Sequence, residues 1–239
     1  MIRVCAFDLG NTLVDDAALY DRSLGRMAEL LAERGVIDDA ARFVSVYDRI
    51  NAASQMPFVS HTFGEAEFFE RAFAELDAAG MSAADALSEY RRLVLEETRL
   101  EPDIRATLTF LGEAGLQRAI LSNERQARVE GFLTQTDSRS LFETVFVSER
   151  YGAEKPDRGF FEAALAEIGA APGEVLMFGD NTIADGAAQE LGMGFVYVEA
   201  YATQRWYFER GEAYTPDFTL PAITVEGLRH CLAHFGAQV

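Results

Sequence analysis

The chain has 239 residues, 49% hydrophobic and 25% charged, the make-up of a folded globular protein and not of a disordered or collagen-like one. Its 21 basic and 39 acidic side chains leave a formal charge of −18, which repels phosphodiester backbones and anionic lipid and so argues against nucleic-acid and membrane partners. Any phosphate site in such a field has to carry its own positive charge.

Residues 2–8 read as a buried strand, short, β-branched and aromatic, ending on the polar Asp8. Cys5 lies inside it as a buried free thiol, and with Cys231 it makes up the whole cysteine complement, too few for a disulfide framework. This first apolar run is too short for a signal peptide, and no later run approaches the ~20 apolar residues of a membrane span, so a cytoplasmic protein is expected. From Leu19 to about Glu97 apolar residues recur at helical spacing: Leu24, Met27, Leu30 and Leu31, then Phe43, Val46, Tyr47 and Ile50. Phe68, Phe69, Phe73 and Leu76 repeat the pattern, as do Leu87, Tyr90, Leu93 and Val94. Four helices are predicted, the first closed at Gly35, with a break over Met56–Gly64 that Pro57 and Gly64 mark.

After Pro102 the rhythm alternates. Helices are predicted over 103–114, 125–133, 158–168, 184–191 and 225–235, and strands over 118–122, 144–147, 175–178, 194–198 and 218–220. Alternation of this kind implies a parallel sheet with helices on both faces. The expected architecture is α/β, a parallel Rossmann-like core at 1–14 and 101–239 with an all-helical insertion at 15–100.

In open α/β sheets the ligand site lies beyond the carboxyl ends of the strands. Four segments at such ends carry reactive or phosphate-binding residues: Asp8-Leu9-Gly10-Asn11-Thr12, Ser122-Asn123, Lys155-Pro156, and Gly179-Asp180 followed by Asp185. Each alone has an ordinary reading, as a helix cap, a turn or a solvated helix start. Together and in this order they resemble the four motifs of the haloacid dehalogenase-like (HAD) hydrolase superfamily, in its helical-cap subgroup. The resemblance spans nearly the whole chain, and it implies a HAD-type sheet core with an inserted helical cap that closes over the site and selects the substrate.

The resemblance implies a site of phosphoryl transfer. Asp8 is the expected nucleophile, forming an aspartyl-phosphate, and Lys155 the expected catalytic cation. Thr12, Ser122, Asn123 and Lys155 are expected against the phosphate, and Asp8, Asp180, Asp185 and the backbone carbonyl of Gly10 around Mg²⁺, which prefers hard oxygen ligands. Read alone, Asp180 and Asp185 are also caps for the helix at 184–191; beside Asp8 and Lys155 the site reading is preferred.

The chain departs from the family at position 10. Where the phosphatases carry a second Asp as general acid–base, this sequence has Gly10, forgoing help typically worth ~10²–10⁴-fold in rate. Three readings stay open: a Mg²⁺-dependent phosphatase acting on a small phosphorylated metabolite with an easily expelled leaving group, a binder of phosphorylated ligands with little turnover, or a metal-independent 2-haloacid dehalogenase. The order of preference is the one given. Asp180 weighs against the dehalogenase, because the family's dehalogenases typically read Ser-Ser-Asn there and a metal-free site has no use for another carboxylate beside Asp8. Restoring the carboxyl by Gly10→Asp is expected to raise the rate on alkyl phosphates.

Asp15 and Asp16 are expected to cap the first helix of the insertion, although either could stand in for the missing acid, as could His61. Phe58, His61 and Phe63 are the insertion's candidates for substrate contact, while Phe68, Phe69 and Phe73 read as helix packing. The aromatic segment Tyr201–Tyr207 reads as bordering either the site or an interface.

Overall fold

Val4–Phe7 is apolar at every position, so neither face of its backbone offers water a polar surface, and it forms strand β1 with all four residues buried. The structure, a computed structural model, describes residues 1–53, 65–203 and 212–237. The predicted break at Met56–Gly64, with Phe58, His61 and Phe63, and the segment from Gln204 to Tyr207 lie outside the described residues. The remaining strands are β2 (Gln117–Ser122), β3 (Thr144–Val147), β4 (Val175–Gly179), β5 (Gly194–Val198) and β6 (Phe218–Leu220). They form one parallel sheet in the order β3-β2-β1-β4-β5-β6, the α/β arrangement that the alternation implies.

That order decides where a ligand can sit. The chain builds outward from β1 through β2 to β3, then returns to the other side of β1 and builds outward again. Between β1 and β4 the direction of winding reverses, and the loops leaving the two strands part to form a crevice. In register, Phe7 stands opposite both Ile120 of β2 and Phe178 of β4. Asp8, the end of β2 and Gly179-Asp180 therefore leave the sheet side by side.

The described residues group into two compact units. One holds residues 1–16 and the described chain from 99 onward, and the other holds residues 17–53 and 65–98. The helices of the second unit are α1 (Asp16–Glu33, whose first residue belongs to the sheet unit), α2 (Ala40–Ala53), α3 (Glu65–Glu75) and α4 (Ala83–Glu97). Phe69 is fully buried there, with ring contacts to Phe43 at 6.0 Å, Tyr47 at 5.2 Å and Tyr90 at 5.5 Å between centroids. Phe68 and Phe73 are buried beside it, so this aromatic set is the unit's core.

The sheet unit adds α5 (Pro102–Glu113), α6 (Gln126–Gln135), α7 (Ser148–Tyr151), α8 (Arg158–Ile168) and α9 (Val225–His234). Predicted bounds match these within two residues, apart from the short α7, which no periodicity announces. One segment differs in kind. The α-helix predicted over 184–191 is a 3-10 helix, Gly186–Leu191. Just before it the Asn181 side chain accepts the backbone N–H of both Ile183 and Ala184 at 2.9 Å, the bonds a capping side chain makes to the turn that follows it. Gly192, at φ +90°, ends the segment, which leaves room only for the short, tight kind of helix.

Candidate active site

The loop after β1 is bound to β4 at once: the Asp8 N–H donates to the carbonyl of Phe178 at 2.9 Å. The chain then turns back on itself, Leu13 and Val14 both donating to the carbonyl of Leu9. Asn11 makes this possible at φ +51°, in the left-handed region that asparagine tolerates better than most side chains. The tight loop holds Asp8 at the crevice and brings Thr12 Oγ1 to 3.5 Å from Asp180 Oδ1.

Asp8, Asp180 and Asp185 each present a carboxylate oxygen, and these lie within 4.8 Å of one another. Lys155 Nζ sits among them, 2.8 Å from Asp8 Oδ1 and 2.6 Å from Asp185 Oδ1, and its side chain is only 2% exposed. Asp185 comes this close because position 179 is glycine: a Cβ there would overlap the Asp185 carboxylate. The other Asp185 oxygen accepts the Asn181 N–H at 3.1 Å. Asp185 makes no capping bond to the 3-10 helix that follows it, so its carboxylate is committed to Lys155 and the loop.

Ser122 is buried at the carboxyl end of β2, on the strand next to Asp8. Asn123, which the sequence groups with the phosphate-contacting residues, has its side chain on the Lys155 backbone. Its side-chain amide donates to the Lys155 carbonyl at 2.6 Å and its Oδ1 accepts the Lys155 N–H at 2.7 Å. With both ends engaged on the Lys155 backbone, the Asn123 side chain ties the end of β2 to the residue whose ammonium meets the carboxylates. Tyr201 lines a cavity of about 310 Å³ together with Thr12, so the start of the aromatic segment borders the first-motif loop.

The charges explain one another. Burial alone would push the Lys155 ammonium down, but Asp185 and Asp8 outweigh it and hold it above the usual lysine range. Burial raises the Asp185 carboxyl to about 7 against the pull of Lys155, with Asp8 adding to the rise. Burial also pushes Asp180 well above the carboxylate range, and the charges of Asp185 and Asp8 push the same way. With all three ionised, the carboxylates and Lys155 carry a net two negative charges in a largely buried cluster. Three hard, anionic oxygen donors with that residual charge fit a divalent cation of the Mg²⁺ type.

This gives a stability test. A carboxyl raised on folding contributes stability that is fully present below its unfolded pKa and is lost as pH rises through the folded value. In chelator at pH 8, Asp180→Asn should therefore melt higher than wild type, and added Mg²⁺ should close or reverse the gap. A variant that melts lower in chelator would show that the Asp180 charge is well compensated within the protein.

One pair escapes motif reading. Asp16 opens α1, but its carboxylate serves the sheet unit: Oδ1 accepts Arg128 Nη2 at 3.1 Å, with both side chains under 10% exposed. Burial raises the Asp16 carboxyl against the pull of Arg128, and the Asp8 charge adds to the rise. Nearby Glu124 is pushed up to about 7 by burial, again opposed by Arg128. Arg128 sits six residues after Ser122, where no signature marks it. A buried Arg on the first turns of α6 is the signal that could have singled it out.

A family profile described as haloacid dehalogenase-like hydrolase matches residues 2–192. The chain belongs to that family. It is 29% identical over 194 residues to a ribulose-1,5-bisphosphate 5-phosphatase from Halopiger xanaduensis, across 77% of this chain and 79% of that one. Among solved structures it resembles the HAD-hydrolase YfnB from Bacillus subtilis, solved bound to magnesium, with TM-score 0.70 and 21% identity over 97% of this chain and 99% of that one. It also resembles the L-2-haloacid dehalogenase PA0810, with TM-score 0.69 and 19% identity over 98% and 99%. Phosphate and haloacid chemistries share this fold, so the fold does not choose between them and the side chains must. Among the described residues, no helix is long and apolar enough to cross a membrane.

Proposed function

We propose that this hydrolase is a Mg²⁺-dependent phosphatase of a small phosphorylated metabolite, working through an aspartyl-phosphate on Asp8. The observation that carries the reading is the third carboxylate. Asp180 stands with Asp8 and Asp185 inside 4.8 Å, buried, where its charge is costly unless a cation is held there. A metal-free dehalogenase would gain nothing from that expense. The 29% identical phosphatase, whose named substrate is a sugar bisphosphate, points the same way.

In this reading Asp8, Asp180, Asp185 and the Gly10 carbonyl hold the ion. Bound there, Mg²⁺ would offset the repulsion between an anionic nucleophile and an anionic phosphate. The Asp8 carboxylate attacks phosphorus while Lys155, fixed by the Asn123 clamp, holds its approach and adds positive charge against the phosphoryl oxygens. Ser122 and the loop N–H groups receive the phosphoryl group. The helical unit is read as the substrate-selecting cap, the inserted domain at 15–100. The site thus carries its own cations against the −18 of the chain.

The test is phosphate release from a panel of phosphorylated metabolites that includes sugar phosphates and bisphosphates, with Mg²⁺ and with chelator. Turnover in Mg²⁺ that disappears in chelator is expected. Halide release from a 2-haloacid, indifferent to chelator, would overturn the reading.

A further inference from the structure

Gly10 is not glycine for the sake of its backbone, since its φ is not in the left-handed range. It is glycine because the space is taken. A Cβ built at position 10 would lie 2.7 Å from Asp16 Oδ2, with the Asp16 carboxyl carbon 3.5 Å away. Within an aspartate, Cβ and a carboxylate oxygen are themselves about 2.4 Å apart, from the bond lengths. That oxygen therefore lies, delivered from position 16, at about the distance from the position-10 Cβ at which an aspartate there would hold its own. Its partner Oδ1 is anchored on Arg128, which leaves Oδ2 as the oxygen turned toward Gly10.

We propose that Asp16 is the catalytic acid–base of this enzyme, a carboxylate relocated from position 10 to the start of α1 and aimed by Arg128. This rests on the phosphatase reading above and names the group that completes it. In the first step Asp8 attacks phosphorus, the P–O ester bond breaks, and the leaving oxygen takes both the bond's electron pair and the proton from Asp16 Oδ2. In the second step the Asp16 carboxylate takes a proton from water as the water oxygen attacks phosphorus. The P–O bond to Asp8 then breaks, returning the Asp8 carboxylate and releasing inorganic phosphate. The expectation that Gly10→Asp alone raises activity is reversed: the new side chain would compete with Asp16 for one space.

The second step gives the test, because p-nitrophenolate leaves without a proton while the aspartyl-phosphate still needs an activated water. Wild type, Asp16→Asn and the double variant Gly10→Asp/Asp16→Ser are compared on p-nitrophenyl phosphate with Mg²⁺, by rapid mixing and by intact-protein mass. Asp16→Asn should release a first equivalent of nitrophenolate at close to the wild-type rate. It should then turn over ~10²–10⁴-fold more slowly, the range of acid–base help, with phosphorylated protein accumulating. The double variant should regain most of the lost turnover, and Gly10→Asp alone should fall below wild type. Unchanged turnover in Asp16→Asn overturns the proposal. So does an equal fall of burst and turnover, with no rescue by the double variant, which would leave Asp16 a structural ion-pair partner only. A wild type that releases no phosphate from any ester removes the phosphatase reading itself, and the proposal with it.

Discussion

Asp8→Asn is expected to abolish turnover while the protein folds as before. The substitution keeps the shape of the side chain and removes the anionic oxygen proposed to attack phosphorus, so on that proposal no covalent intermediate should form. The loss expected is about 10⁶-fold, the scale seen when the nucleophile of a covalent catalyst is removed. Folding should survive because Asp8 is one of two carboxylates on Lys155, and Asp185, at 2.6 Å, remains. Removing the Asp8 charge also relieves the like-charge strain on Asp180 and Asp185. Activity on p-nitrophenyl phosphate, a thermal melt and intact mass after substrate together check the expectation. A variant with a normal melt and turnover within tenfold of wild type would place the nucleophile elsewhere.

Lys155→Met should be the most damaging change to stability in the site. It removes the ammonium from a buried crevice and leaves three carboxylates facing one another. Taking one partner from a buried ion pair costs about 3–5 kcal/mol, mostly for the charge left behind. The sign with pH follows from the shifts. In wild type Lys155 is held charged above the usual lysine range, so the ammonium itself does not titrate from acid through mildly alkaline pH. In the variant, Asp185, already raised to about 7 in wild type, loses the group that opposes the rise and protonates more readily. The deficit in chelator should thus be small near pH 5 and grow toward pH 8.5, and Mg²⁺ should recover part of it. Turnover should drop about 10³-fold even when the variant is folded and Mg²⁺ is present, as when a fixed donor is taken from a charge-stabilising site. Urea melts at the two pH values, with and without Mg²⁺, measure it; a deficit independent of pH would show that Lys155 stabilises by packing alone.

Much of this protein was legible in its residue order. Strand–helix alternation after Pro102 is read from local apolar runs, which are what strands buried on both faces of a parallel sheet need, so the sheet class and five of its six strands follow within a residue. The positions of Asp8 and Asp180 directly after β1 and β4 follow too, because strand ends are local. What the order of residues cannot express is distance between side chains far apart in the chain. Nothing near Asn123 announces that its side chain closes on the Lys155 backbone, 32 residues away. The segment at 186–191 reads as part of an α-helix and folds as a 3-10 helix closed by Gly192 at φ +90°. Above all, Gly10 reads as an absence. Only folding, which returns the chain from Val14 onto Leu9 and sets Arg128 of α6 against Asp16, shows that a carboxylate has been placed in the space a side chain at 10 would fill.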